Sequence, residues 1–207
     1  MTPRQSLSFL AMMAAALALA ACGQRGSTPT PDDMSMGDPN AKIQVTEYAS
    51  LTCPHCARFN AQVFPAFKAK YIDTGKVHYT LKEFLTPPTE VAAAGFLTAR
   101  CAGKDKYFTV VDTIFRSQEQ MFSAGASPRG VLLQIAQSAG MTEAQFNACV
   151  SDDAALKALN KRIDDSLKGE KIAGTPTFFV NGKNIASGEI PLSKLDAAIA
   201  EAAAKPK

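Results

Sequence analysis

The sequence predicts an α/β domain with a helical region inserted between its two halves. Residues 43–48 and 77–84 have the composition of strands and flank a helical segment, and residues 178–187 have the pattern of a strand pair. Between them, residues 89–151 show only helical patterns. We therefore expect the order β-α-β, helical insert, α-β-β-α. Residues 42–207 are enough for one domain with a substantial core.

The first 21 residues have the features of an export signal. Arg4 precedes an uncharged apolar run, residues 9–18, which is too short for a comfortable membrane span. The run ends in Leu-Ala-Ala-Cys at residues 19–22, which resembles the lipobox of bacterial lipoproteins at every position. This resemblance implies cleavage before Cys22 and attachment of lipid to its sulfur. The alternative is an ordinary secretory signal in which Cys22 is incidental.

Export changes the expectation for the cysteines and leaves the chain with little net charge. Outside the cytosol disulfides form and persist, and four of the five cysteines remain when Cys22 is set aside. Without Arg4 the chain has 21 basic and 19 acidic side chains, a balance that gives no reason to expect nucleic acid as a partner. Residues 22–41 are rich in Gly, Ser, Thr, Pro and Asp and predict a flexible tether.

The first part of the domain, residues 42–88, contains the β-α-β pattern. Alternating Ile, Val and Tyr in residues 43–48 predict a strand, and Pro54 suits the first turn of the helix that follows. Pro65 lies inside that helix and should kink it, because its ring clashes with the carbonyl four residues earlier. Residues 77–84 predict the second strand, which should run parallel to the first after a right-handed connection.

The insert and the second part of the domain follow in residues 89–151 and 152–207. Residues 89–101 are almost wholly apolar, Thr142 and Gln145 have capping-box spacing, and Asn181-Gly182 is a strong hairpin signal. Residues 152–168 and 192–204 predict the two helices on either side of the strand pair. Apolar side chains fall on one helical face in three stretches of the insert: Tyr107, Val110, Val111, Ile114 and Phe115; Val131, Leu132, Ile135, Ala136 and Ala139; and Phe146, Cys149 and Val150.

The tetrapeptide Cys53-Pro54-His55-Cys56 stands where the first helix begins. A Cys-x-x-Cys there places one sulfur beside the unpaired N–H groups of the helix and the other one turn further on, which is typical of a redox dithiol. A static disulfide is a weak alternative, because a two-residue loop closes almost no chain entropy. Zinc would need two more ligands, and the sequence has no second CxxC and no HxxxH. We expect no metal and no cofactor.

This tetrapeptide and the later loop Gly174-Thr175-Pro176-Thr177 together resemble the DsbA family, over residues 42–204. The resemblance implies a thioredoxin fold with an inserted helical domain. It also implies a resting Cys53–Cys56 disulfide that a substrate thiolate attacks at Cys53, with Cys56 as the inner thiol.

The neighbours of Cys53 should stabilise its thiolate. The helix N-terminus, a backbone N–H of the next turn and His55 all act in that direction. A stabilised thiolate favours the reduced form, which makes the disulfide an oxidant of other proteins. His55 could instead be an exposed polar residue with no role, and we assign none to His78.

Three further residues acquire roles by the same resemblance. Glu47, six residues before Cys53, would accept or shuttle the proton of Cys56; the alternative is a surface glutamate on a strand. Thr175-Pro176 would be a cis-proline loop whose backbone pairs with an extended substrate, rather than an ordinary trans loop. Thr175 occupies a position where the best-known oxidases have valine and isomerase relatives also have threonine, so the direction of exchange stays open.

Cys101 and Cys149 both belong to the helical insert. Export favours a second disulfide that ties the insert together. Two buried free thiols and a redox-sensitive regulatory bond are the alternatives.

Together these features predict a thiol:disulfide oxidoreductase of the bacterial cell envelope, membrane-anchored through Cys22 on the periplasmic side. We expect a monomeric oxidase that acts on reduced exported proteins, with a DsbB-like membrane protein as the reoxidant that the resemblance implies. An isomerase or reductase is the first alternative. A metal-binding or chaperone module that uses the two cysteines without turnover is the second.

Overall fold

The computed structural model describes residues 27–204. The predicted signal segment and the lipidation site Cys22 lie outside this range. Among residues 27–204, no helix combines the length and the apolar character that crossing a bilayer requires.

The strands of the described range form one five-stranded sheet with the order β1-β3-β2-β4-β5. The two central strands β2 and β3 are parallel, and every other neighbouring pair is antiparallel. This mixed sheet, with helices before, between and after its strands, confirms the predicted thioredoxin fold. The strands are β1, Met34–Met36; β2, Ile43–Ala49; β3, Val77–Glu83; β4, Thr177–Val180; and β5, Lys183–Ser187.

Helices cover the sheet and build the insert. In the described range they are α1, Pro54–Gln62; α2, Phe64–Phe67; α3, Thr89–Cys101; α4, Lys104–Arg116; α5, Gln118–Met121; α6, Pro128–Ser138; α7, Glu143–Val150; α8, Asp153–Leu167; and α9, Leu192–Ala204. Helices α3 to α7 follow one another without an intervening strand. Helix α8 then leads back to the sheet, and α9 packs against β2, β4 and α2.

Pro65 interrupts the helical connection between β2 and β3, as predicted. Helix α1 ends at Gln62, α2 begins at Phe64 with the proline in its first turn, and a π-helical turn, Lys68–Ile72, follows. A proline has no N–H to bond the preceding turn, so the chain restarts the helix around it.

The hairpin between β4 and β5 turns at Asn181-Gly182, as predicted. Both residues have positive φ, 46° and 77°, the conformation that a tight hairpin turn requires and that Asn and Gly tolerate best. This turn places the residues after β5 beside the loop that precedes β4, because the amide of Gly188 donates a hydrogen bond to Pro176 O at 2.7 Å.

The prediction of a flexible tether is wrong for residues 27–41. Strand β1 extends the sheet by pairing with β3. Ser27 is buried, and its amide and hydroxyl both donate to Glu170 Oε1, at 3.2 and 2.6 Å. The carboxylate of Asp33 forms an ion pair with Lys82, whose side chain is only 2% exposed. Composition did not indicate this order because the partners lie in distant parts of the sequence.

A disulfide joins Cys101 at the end of α3 to Cys149 in α7, across 48 residues. Helix α3 also packs against the turn that follows β2. A Cβ atom at Gly95 would lie 2.9 Å from Cδ1 of Leu51, so any larger residue would require the Leu51 side chain to shift. The insert is thereby fixed against the segment that leads to Cys53.

Candidate active site

Cys53 is the N-cap residue of helix α1. Its backbone is extended, with φ −82° and ψ 118°, and its sulfur accepts a hydrogen bond from the amide of Cys56 at 3.4 Å. Pro54 occupies the first turn, where its missing N–H leaves no bond unmade. The sulfur therefore lies at the positive end of the helix, as the sequence predicted.

The turn before Cys53 is held by hydrogen bonds to two other segments. Gln118 of α5 is buried and donates from Nε2 to the carbonyl oxygens of Leu51 and Cys53, at 2.8 and 3.2 Å. The hydroxyl of Thr52 donates to Thr86 O at 2.7 Å. These contacts were not predicted, because nothing in a one-turn helix of the insert indicates that it faces the dithiol.

Cys53 and Cys56 are not joined by a disulfide, and their thiols have very different environments. A hydrogen bond from the Cys56 thiol, aided by Thr175 and by backbone N–H groups, outweighs burial and lowers the pKa of Cys53 to about 5. Burial, the hydrogen bond to Cys53 and the charge of Glu47 raise the pKa of Cys56 far above its ordinary value. Cys53 is therefore the thiolate at neutral pH and Cys56 remains a thiol.

The loop before β4 lies directly against Cys53. The Thr175-Pro176 peptide bond is cis, and the Cys53 thiol donates a hydrogen bond to Thr175 O at 3.2 Å. The hydroxyl of Thr175 is buried and has no hydrogen-bond partner among residues 27–204.

Glu47 lies beneath the dithiol. It is 3% exposed, and Tyr79 Oη donates to its Oε2 at 2.7 Å. Burial raises the pKa of Glu47 to about 8, with a further contribution from the negative charge of Cys53 and an opposing one from the Tyr79 hydrogen bond. Burial excludes the alternative of a surface glutamate. Sequence analysis did not identify Tyr79, although it lies on the same face of β3 as Leu81, the residue that pairs with Glu47.

His55 lies at the exposed rim of the site, in an ion cluster. Its Nδ1 is 2.5 Å from Glu189 Oε1 and 2.6 Å from Arg58 Nη2. Arg58 also donates from Nε to the same oxygen of Glu189, at 2.7 Å. Arg58 and Glu189 were not predicted, because Glu189 comes from the segment after β5, 134 residues from His55.

Residues 27–204 contain no group of three or more His, Cys, Asp or Glu side chains arranged to hold a metal ion. The groups gathered at Cys53 are instead a nucleophile, an inner thiol, a buried carboxylic acid and the backbone at the cis Thr175-Pro176 bond. This set can carry out thiol–disulfide exchange.

Comparison with known proteins agrees with this geometry. A protein from Rickettsia bellii that is named a protein-disulfide oxidoreductase is 36% identical to this chain over 171 residues. The match covers 83% of this chain and 64% of that protein. The crystal structure of α-DsbA1 from Wolbachia pipientis has a TM-score of 0.76 and 29% identity, and covers 84% of this chain and 92% of that one. Oxidised BdbD from Bacillus subtilis, with 21% identity and a TM-score of 0.69 over 82% and 92% of the two chains, shares the fold.

The chain thus spans just under two thirds of the length of its Rickettsia relative. A family model described as thioredoxin matches residues 29–201, nearly all of the range that the structure describes. The chain belongs to the thioredoxin family, and the DsbA proteins are its structural relatives.

Proposed function

We propose that this protein is a thiol:disulfide oxidoreductase that works as an oxidase and introduces disulfide bonds into exported proteins. The observation that carries the proposal is the contrast between the two thiols. The pKa of Cys53 is lowered to about 5, whereas that of Cys56 is raised by burial. A couple whose reduced form contains a stabilised thiolate is easily reduced, so its disulfide oxidises other thiols.

Exchange begins with the Cys53–Cys56 disulfide. A substrate thiolate attacks Cys53 Sγ, the intramolecular S–S bond breaks, and its electron pair passes to Cys56 Sγ, which takes up a proton. A second substrate thiolate attacks the substrate sulfur of the mixed disulfide and releases Cys53 as a thiolate. Two electrons have then passed from the substrate thiols to the protein, and the substrate has gained one disulfide.

Glu47 is suited to handle the proton of Cys56. With a pKa of about 8 it is mostly protonated at neutral pH, and its charge influences Cys56. It therefore gives up a proton when Cys56 leaves and recovers one when the dithiol is oxidised again.

The backbone before Pro176 is suited to hold the substrate. Residue Thr175 precedes the cis bond and is in contact with Cys53. An extended substrate peptide that pairs with this backbone edge would bring its own cysteine to the Cys53 sulfur.

The proposed setting follows from the N-terminal sequence. The lipobox-like residues 19–22 support acylation at Cys22 and anchoring on the periplasmic side of the bacterial envelope. The substrates would be reduced exported proteins, and a DsbB-like membrane protein would reoxidise the dithiol. We propose a monomer. Lipid labelling that persisted in a Cys22→Ser variant would contradict acylation at this site.

Thr175 favours a second candidate function, a disulfide isomerase or reductase, because this residue type also precedes the cis proline in isomerase relatives. The equilibrium of the dithiol with glutathione separates the two. An oxidase should be almost fully reduced in buffers that leave an ordinary structural disulfide intact. A strongly reducing equilibrium, together with an ordinary pKa for Cys53, would contradict the oxidase.

A further inference from the structure

Glu189 forms the centre of an ion cluster that the proposed exchange reaction does not use. One oxygen, Oε1, is 2.7 Å from Arg58 Nε, 2.5 Å from Arg58 Nη2 and 2.5 Å from His55 Nδ1. Hydrogen bonds from Arg58, reinforced by His55, hold the pKa of Glu189 below its ordinary value. Glu189 is therefore a carboxylate wherever Cys53 is a thiolate.

The cluster joins the two halves of the domain across the redox site. His55 and Arg58 belong to the helix that Cys53 caps, and the backbone N–H of His55 helps to lower the pKa of Cys53. Glu189 follows Gly188, whose amide bonds to the carbonyl of Pro176. The carboxylate thus connects the cis-proline hairpin with the first turns of α1.

We propose that Glu189 is a positioning residue of the redox site, which holds Arg58 and His55 on the helix that Cys53 caps and offsets part of the attraction of the Arg58 guanidinium for the Cys53 thiolate. This inference rests on the exchange activity proposed above. It adds a residue that adjusts how strongly the dithiol oxidises other thiols. Glu189 acts through Arg58 and His55, with no contact of its own to the reacting sulfurs.

The sign of the effect follows from charge. The side chains of His55, Arg58 and Glu189 are 56%, 46% and 35% exposed, so their mutual attraction is screened and their influence on Cys53 is modest. Removing the carboxylate leaves the guanidinium uncompensated, which stabilises the thiolate and the reduced form. Removing the guanidinium leaves the carboxylate uncompensated and has the opposite effect. Glu47, whose pKa the charge of Cys53 raises, is buried and has no hydrogen bond to either substituted side chain among those of residues 27–204, so both substitutions should leave it unchanged.

The test compares Glu189→Gln, Arg58→Gln and the double variant in full-length protein. We would measure the thiolate absorbance of the reduced dithiol from pH 3 to 9 and its equilibrium with glutathione. Glu189→Gln should increase the acid dissociation constant of Cys53 and shift the equilibrium toward reduced protein, each about two- to fivefold. Arg58→Gln should shift both quantities by a similar factor in the opposite direction, and the double variant should return close to wild type.

Two controls separate this role from a merely structural one. Asp73→Asn removes a carboxylate from an exposed pair with Lys68 near the end of the helical connection between β2 and β3, and should leave both redox quantities unchanged. In 1 M salt the opposite shifts should shrink, because screening weakens charge but not packing.

The inference is overturned if Glu189→Gln matches wild type, or if both single variants shift the equilibrium in the same direction. Its failure is distinguishable from that of the proposed oxidase. A strongly reducing wild-type protein contradicts the oxidase, while the differences between variants still decide the role of Glu189.

Discussion

The thiol of Cys53 donates a hydrogen bond to the carbonyl oxygen of Thr175, at 3.2 Å, across 122 residues of sequence. The bond exists only while the sulfur carries its proton, since a thiolate has none to donate. After ionisation the buried hydroxyl of Thr175 becomes the group that can donate to the sulfur, and it lowers the pKa of Cys53. Thr175 therefore acts on the sulfur both through its backbone carbonyl and through its hydroxyl.

Thr175→Val should raise the pKa of Cys53 by about one unit, because the thiolate loses a hydroxyl donor. The dithiol should then be a weaker oxidant. Below pH 5, where Cys53 is a thiol, stability should not fall, because the hydroxyl of Thr175 has no hydrogen-bond partner to lose. At neutral pH the reduced protein should lose about 1 kcal/mol, because its Cys53 thiolate is less stabilised. Thiolate absorbance against pH and chemical denaturation measure the two effects.

Thr177→Val is the matched control on the other side of Pro176. Its hydroxyl donates to Gly174 O at 2.7 Å and bonds Ser187 Oγ at 3.1 Å. We expect a loss of about 1 kcal/mol of stability and no change at Cys53. An unchanged Cys53 pKa in Thr175→Val would contradict a donor role for Thr175.

Alkylation of reduced protein should reach half its maximal rate near pH 5, where Cys53 ionises. The same lowered pKa links pH to stability. Between pH 5 and 9 the unfolded thiol holds a proton that native Cys53 has lost, so this contribution is complete above pH 9 and disappears as pH falls through 5. The reduced protein should therefore gain stability relative to the oxidised protein as pH rises through this window. A half-maximal rate near pH 9 would count against the site as described.

Glu47→Gln should stabilise the oxidised protein at pH 7. The pKa of Glu47 is raised from 4.5 to about 8, so the native state binds a proton that the unfolded state releases, and stability falls as pH rises through this window. We expect a gain of about 1–3 kcal/mol at pH 7 that vanishes below pH 4.5, measured by urea denaturation. Release of Cys56 from the disulfide should be slower, which stopped-flow exchange would detect.

Tyr79→Phe tests the carboxyl group of Glu47 by removing the hydrogen bond that it accepts. Its hydrogen bond lowers the pKa of Glu47, so its removal should raise that pKa further and move the stability transition to higher pH. If both variants followed the wild-type stability profile between pH 4.5 and 8, Glu47 would not titrate as we infer.

Asp33→Asn should destabilise the protein by about 3–5 kcal/mol, because it leaves the buried ammonium of Lys82 without its counter-charge. Asp165→Asn removes an exposed carboxylate that pairs with Lys161 and Lys168, and should change stability by less than about 1 kcal/mol. Equally small effects of the two substitutions would show that the Asp33–Lys82 pair does not stabilise the domain.

Replacing both Cys101 and Cys149 by alanine should cost about 4 kcal/mol of stability, from the entropy of the 48-residue loop that their bond closes. The pKa of Cys53 should not change, because neither cysteine contributes to it. A shift in the glutathione equilibrium of the Cys53–Cys56 pair would instead favour the regulatory alternative.

Local signals in the sequence were enough for most of the fold. Pro65 marked the break between α1 and α2, and Asn181-Gly182 marked the hairpin. Each acts through its own backbone geometry, which does not depend on distant residues. Cys53 and Cys56 were recognisable for the same reason, because their spacing fixes their place on one helical turn.

The groups that tune the site were not predictable, because each depends on a partner far away in sequence. Glu189 becomes relevant only when the hairpin brings it to Arg58, 131 residues earlier. Tyr79 meets Glu47 because the parallel strands pair in one register, with Val45 opposite Tyr79. Alternation along β3 limited the choice of side chains, but the register came from the folded sheet.

The hydrogen bonds at Ser27 also bear on any lipid attached at Cys22. Only residues 23–26 separate that cysteine from Ser27, which two hydrogen bonds hold to Glu170. The chain between Cys22 and Ser27 can span at most about 17 Å when fully extended. The ordered domain of an acylated protein would therefore be held within this distance of the bilayer surface. Its search for partners would be close to two-dimensional, limited to proteins that emerge from, or lie against, the same membrane.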